Sequence, residues 1–183
     1  MEFLLLGLLI LSPMTGYELQ QFIKKNLSLI CSHSAGSVQA ALAKLEREGK
    51  VTATQREEGG RRKRVFSVTG AGRAAFSLWA EQPMQAGRAK NMELSRLFFA
   101  GLVGPEERLA AIRDYIRQLE ETRAVLLAIQ SHFRQMARRE LPPGLDWKQV
   151  LRFQGYTIQY GIDAAEFEIG WYRRLIRELE EQP

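Results

Sequence analysis

A single cysteine, Cys31, stands among 183 residues. No disulfide can form within the chain, and a reducing cytoplasm is the expected compartment. Histidines number two. His33 lies near Cys31 but His132 is far off, which gives no recognisable zinc spacing; neither metal nor cofactor is expected. The apolar run from Phe3 to Leu11 is far too short to span a bilayer. Glu2 stands where a signal peptide would carry a basic residue, and Pro13 follows in place of a cleavage site, so the run reads as a buried core helix. Gly7, Gly101 and Gly161 are isolated within helical stretches. With no phosphate-binding loop, nucleophile elbow, dinucleotide fingerprint or paired-carboxylate arrangement, no enzymatic activity is expected.

What is present is an uneven charge. The formal net charge is +5, with eleven Lys and Arg against six Asp and Glu through Ala80, and fifteen against fifteen from Glu81 on. A basic head on a neutral body is the footprint of a polyanion-binding module.

The head divides by its punctuation. Thr15-Gly16-Tyr17-Glu18 fits a capping box, with Met14 and Leu19 spaced for a hydrophobic staple, so a second helix is predicted from Gly16 to about Lys25. Ser34 caps a third helix that ends at Gly49 and buries Val38, Ala41, Leu42 and Leu45 as one stripe. Opposite that stripe lie Gly36, Ala40, Ala43 and Arg47, flanked by Ser37, Gln39 and Lys44. A face of small residues edged by polar ones lets a backbone approach something closely. Residues 51–55 and 61–68 read as strands of a hairpin around Gly59-Gly60, with Phe66 and Val68 turned inward, and Thr69 opens a further helix to about Glu81. Three helices followed by a hairpin describe a winged helix-turn-helix. The predicted class is mainly α, with this module at 1–81, a linker at 82–91 and a helical dimerisation domain of antiparallel long helices at 92–183. That domain should hold a helix from Met92 to Val103, a long one from Gly104-Pro105 to Arg139, and a last one from the Asp146 cap to about Glu180.

The last helix carries two apolar seams. Ile158, Ile162, Ala165, Ile169, Tyr172 and Ile176 form one, assigned to a dimer interface; Phe153, Tyr156, Tyr160, Phe167, Trp171 and Leu175 form the other. A helix buried centrally in a monomer is the alternative. The aromatics read either as core or as the lining of an effector pocket, for which Phe98, Tyr156, Tyr160 and Trp171 are the candidates and a small aromatic molecule the ligand.

Leu5-Leu6-Gly7-Leu8-Leu9, Pro13 through Leu19, Ser34 through Val38, Leu42 through Gly49 and Gly60-Arg61-Arg62-Lys63 together resemble the PadR family of bacterial regulators. Thr69-x-x-Gly72-Arg73 looks like its end-of-wing signature, and Leu97 through Gly101 with the two long helices looks like the C-terminal domain of its longer members. The resemblance implies a homodimeric winged-helix transcription factor, usually a repressor, in some relatives an activator. Gln39-Ala40 stand where the family usually has Tyr-Pro, and Arg64-Val65-Phe66 where an aromatic pair is common.

Candidate contacts to double-stranded DNA are Ser34, Ser37, Gln39, Ala40 and Lys44 on the third helix. Gln reads adenine bidentately, Ala meets a thymine methyl, and Lys reaches guanine or phosphate. On the wing they are Arg61, Arg62, Lys63 and Arg64, about half of which can share a face and touch phosphate. A winged helix that binds another protein is the rival reading, and its wing need not be basic. Cys31 is expected to have no redox role.

Overall fold

Leucines at 5, 6, 8 and 9 make the first helix apolar nearly all round, and such a helix must be enclosed. In the computed structural model they are all buried in α1 (Glu2–Leu11). The structure describes residues 1–27, 34–58, 61–83, 93–136 and 141–181, with the backbone alone at 58, 61, 95 and 136. Cys31 and His33, the Gly59-Gly60 turn, most of the expected linker and the expected helix end at Arg139 lie outside the described residues. The chain forms two compact units, Met1–Gln85 and Ala86–Pro183.

In the first unit α2 (Gly16–Asn26) starts on the capping box. The Thr15 hydroxyl accepts from the Glu18 amide at 3.1 Å, and the Thr15 amide donates to the Glu18 carboxylate at 2.7 Å. Helix α3 (Ala35–Arg47) is capped by Ser34, whose hydroxyl accepts from the Ser37 amide at 3.2 Å. Gly49, at φ 67°, carries the chain from α3 into the sheet in a left-handed conformation that suits glycine. Strands β2 (Val51–Glu58) and β3 (Arg61–Val68) make the hairpin, three residues longer on its first arm than the β-branched run suggested. A strand absent from the sequence reading joins them. Met14 and Thr15, labelled β1, pair antiparallel with Phe66 and Val65, giving a three-stranded sheet of order β1-β3-β2. Leu5, Leu19, Ile23, Leu42, Leu45 and Phe66 belong to the one buried cluster that joins the helices to this sheet.

Helix α4 (Gly70–Ala80) closes the unit. Thr69 caps it, accepting from the Gly72 amide at 3.1 Å and donating its hydroxyl to the Gly49 carbonyl at 2.8 Å. Phe3 stacks on Trp79 with ring centroids 5.0 Å apart, tying α4 to α1. Where Gly72 passes the sheet there is no room for a side chain: a Cβ there would lie 2.1 Å from the Lys50 carbonyl oxygen and 2.8 Å from Val68. Gly72→Ala should therefore destabilise the unit by about 3 kcal/mol, read as a lowered midpoint in chemical denaturation. A midpoint equal to wild type would mean that α4 is not docked this closely.

In the second unit the expected helix from Met92 to Val103 is broken. Helix α5 (Glu93–Phe98) ends at an edge-on contact of Phe98 with Phe99, and Ala100–Leu102 tightens into a 3-10 turn. Gly101 weakens helix there, and Pro105 disfavours it just upstream. Two long helices follow, α6 (Pro105–Met136) and α7 (Trp147–Glu181), the latter capped by Asp146, which accepts from the Gln149 amide at 3.1 Å. Their pairing is antiparallel: Arg113 meets Glu180 at 2.7 Å, Glu120 meets Arg173, Arg123 meets Glu166 at 3.4 Å, and Gln130 meets Gln159 at 2.9 Å. Such exposed rungs add little stability each, but they mark the register.

The isoleucine seam of α7 packs within the chain. Ile169 and Tyr172 share a core with Ile112 and Ile116 of α6, joined at its margin by Ile176; Ile162 and Ala165 are buried too, and Ile158 partly so. The seam given to a partner chain is thus covered within this one. Gly161 is buried on that side as well. The aromatic seam is the one left open, with Phe153 66%, Tyr160 75% and Phe167 67% exposed.

Candidate nucleic-acid interface

Burial of Val38, Ala41, Leu42 and Leu45 fixes the rotation of α3 and turns Gly36, Ala40, Ala43 and Arg47 to solvent. The surface there is open: a Cβ built on Gly36 would meet nothing within 4 Å. A helix whose outer face is glycine and alanine presents a low profile to any groove.

The polar flanks are more committed than their spacing suggested. Ser37 is half-buried, and its hydroxyl donates to the Ser34 carbonyl at 2.8 Å. Gln39 is exposed but lies back on the start of α2, so close that a Cβ on Gly16 would stand 2.7 Å from its amide nitrogen. Lys44 is held by Glu2 of α1 at 2.8 Å, with Glu48 at 3.9 Å. The hydrogen bond and charge of Glu2 raise the Lys44 pKa above its ordinary value. The expected reach of Lys44 to guanine or phosphate therefore competes with a contact 42 residues away in sequence, which no local pattern reveals.

On the wing the register sorts the cations. Residues 62, 64 and 66 share one face of β3, and 63 and 65 the other. Arg62 is exposed opposite Glu57, and Lys63 is exposed opposite Arg56. Arg56 is a candidate that the sequence reading missed, because its strand was ended at Gln55. Arg64 reaches both carboxylate oxygens of Glu46, the closer at 2.5 Å and the other at 2.7 Å, and lies 5.3 Å above the Phe66 ring. Of Arg61 the backbone alone is described, paired with Glu58. Tyr17, 70% exposed in the first turn of α2 beside Gly16, is a second missed candidate. Its only signal was an aromatic among polar helix-start residues.

The four residues expected to line an effector pocket do not meet in one enclosed place. Phe98 packs edge-on against Phe99, Tyr156 against Phe153 and Trp171 against Tyr172, and Phe98, Tyr156 and Tyr160 are more than half exposed. An open groove of about 320 Å³ in this unit is lined instead by Leu127, Gln130, Ser131, Arg134 and Gln135. Among the described residues no helix is long and apolar enough to cross a membrane.

The fold recurs in solved structures. Bacillus subtilis PadR in complex with operator DNA matches with a TM-score of 0.76 at 17% identity, over 97% of this chain and 98% of that one. The same Bacillus protein in complex with p-coumaric acid matches with 0.71 at 16%, over 98% of each chain. The Vibrio cholerae virulence activator AphA matches with 0.75 at 20%, over 100% of this chain and 99% of that one. At these identities the likeness establishes the fold. No curated protein matches the sequence. Family comparison goes further: residues 5–78 match the transcriptional regulator PadR-like family, and residues 89–180 the virulence activator alpha C-terminal family. Sharing the winged helix, the helical C-terminal region and both sequence signatures, this chain belongs to the PadR-like transcriptional regulators.

Proposed function

We propose that the chain binds a pseudo-palindromic operator as a homodimer and represses transcription there. The observation that carries this reading is the open glycine-alanine face of α3 beside a hairpin that bears Arg56, Arg62 and Lys63 on its surface. Helix α3 would enter the major groove, with Ser34, Ser37, Gln39 and Ala40 toward the bases once Gln39 swings off Gly16, and with Lys44 in reach once it leaves Glu2. Arg61, Arg62 and Lys63, joined by Arg56, would meet phosphates, and the Tyr17 hydroxyl would donate to one more. Dimerisation would use the exposed aromatic stripe of α7, since an apolar strip of that extent marks an interaction surface. A second copy laid on that stripe would also shield Phe98, Tyr156, Tyr160 and Trp171, and a small aromatic effector would then sit between chains; Bacillus subtilis PadR forms a complex with one such molecule, p-coumaric acid. Activation is the second reading, favoured by the match of residues 89–180 to the C-terminal region of virulence activators.

Selection of bound duplexes from a random pool tests the proposal. The expected result is enrichment of an inverted repeat with half-sites about one helical turn apart. Enrichment of an unrepeated site, or of nothing, would contradict it. A reporter carrying the selected site then separates repression from activation.

A further inference from the structure

Arg64 on the wing is engaged on two sides. Its Nη2 donates to both oxygens of Glu46 at 2.5 and 2.7 Å, and its guanidinium carbon lies 5.3 Å from the ring centroid of Phe66, which is 4% exposed in the core. Glu46 sits in the last turn of α3, next to the fully buried Leu45. The other carboxylate in this turn, Glu48, is taken by Lys50 at 2.7 Å. The Glu46 pair thus runs from the C-terminal turn of α3 to β3. As a phosphate ligand Arg64 would have to leave Glu46, exposing a carboxylate near a polyanion. We infer that Arg64 is a positioning residue that fixes the wing relative to α3, and not one of the wing's phosphate contacts.

This rests on the proposed reading that α3 and the wing engage one DNA duplex together. Two elements that must meet a groove and a backbone at once bind better when their separation is set beforehand, because less freedom is lost on binding. Glu46, although negative, then helps binding.

The test compares Glu46→Gln, Arg64→Gln and the double variant with wild type. The probes are an inverted-repeat duplex recovered from a random pool and a random-sequence duplex of equal length, each titrated across a salt series. The inference predicts that each single change weakens the recovered duplex about two- to fivefold, that the double is no worse than either, and that the slope of log affinity against log salt stays at the wild-type value. A slope lowered by about one unit in Arg64→Gln, together with tighter binding by Glu46→Gln, would make Arg64 a phosphate contact and overturn it. Hydrogen exchange on the DNA-free protein gives an independent reading. Both variants should speed exchange of hairpin amides to the same degree, and unchanged exchange would refute the tie. Should wild type bind neither duplex, the DNA-binding reading falls while the exchange result still decides the role of Arg64.

Discussion

Alanine at both Arg62 and Lys63 should weaken binding to specific and random duplexes alike, and should lower the slope of log affinity against log salt by about two units. Each phosphate contact releases condensed counterions irrespective of sequence, at about one unit of slope apiece. Arg62 and Lys63 are exposed on opposite faces of β3, so the drop also reports how the wing meets the duplex: about one unit would mean that only one face does. Gln39→Ala should behave differently. It should leave the slope near wild type and cost roughly 1–3 kcal/mol on the specific duplex alone, if the amide pairs bidentately with adenine. Titration of the variants against both duplexes checks this. The opposite pattern, with Gln39→Ala weakening both duplexes and the wing variant relaxing base preference, would make the wing the reader.

Glutamate at Phe153 and Phe167 should give a monomer in analytical ultracentrifugation with the helical signal of wild type. Both rings are about two-thirds exposed in the single chain, so charge there disturbs no core. Ile169→Glu provides the contrast. Ile169 is 5% exposed in the α6–α7 core, and a charge there should unfold the helical pair rather than merely separate two chains. The aromatic double variant should then bind a two-half-site duplex weaker by on the order of a hundredfold, since linkage of two binding events is lost. If it stays dimeric, the aromatic stripe is not the interface.

Much of the fold was legible because its signals are local. Thr15 with Glu18, Ser34 with Ser37 and Thr69 with Gly72 each close a helix start within four residues, and each cap forms. The hairpin was visible in its β-branched run and glycine turn. What escaped depended on partners distant in the chain. Met14-Thr15 is too short to show alternation and becomes a strand only by meeting Phe66 and Val65. Period identified two seams on the last helix but not their partners; Ile112 and Ile116 of α6 are what meet Ile169 and Tyr172 on the isoleucine side. Gln39 and Lys44 are exposed on α3 as their spacing suggested, yet their contacts with Gly16 and Glu2 come from elements that only the tertiary fold brings alongside. Arg64 looked like one cation of four until the packing of α3 on the sheet placed Glu46 beside it.

Two copies of this chain should read one operator through paired winged helices. Sedimentation of wild type with a selected inverted-repeat duplex, and with the same duplex scrambled in one half-site, tests it most directly. Two chains should sit on the intact duplex, with a loss of on the order of a hundredfold in affinity when one half-site is scrambled. A single chain per duplex, or equal affinity for both, would contradict it.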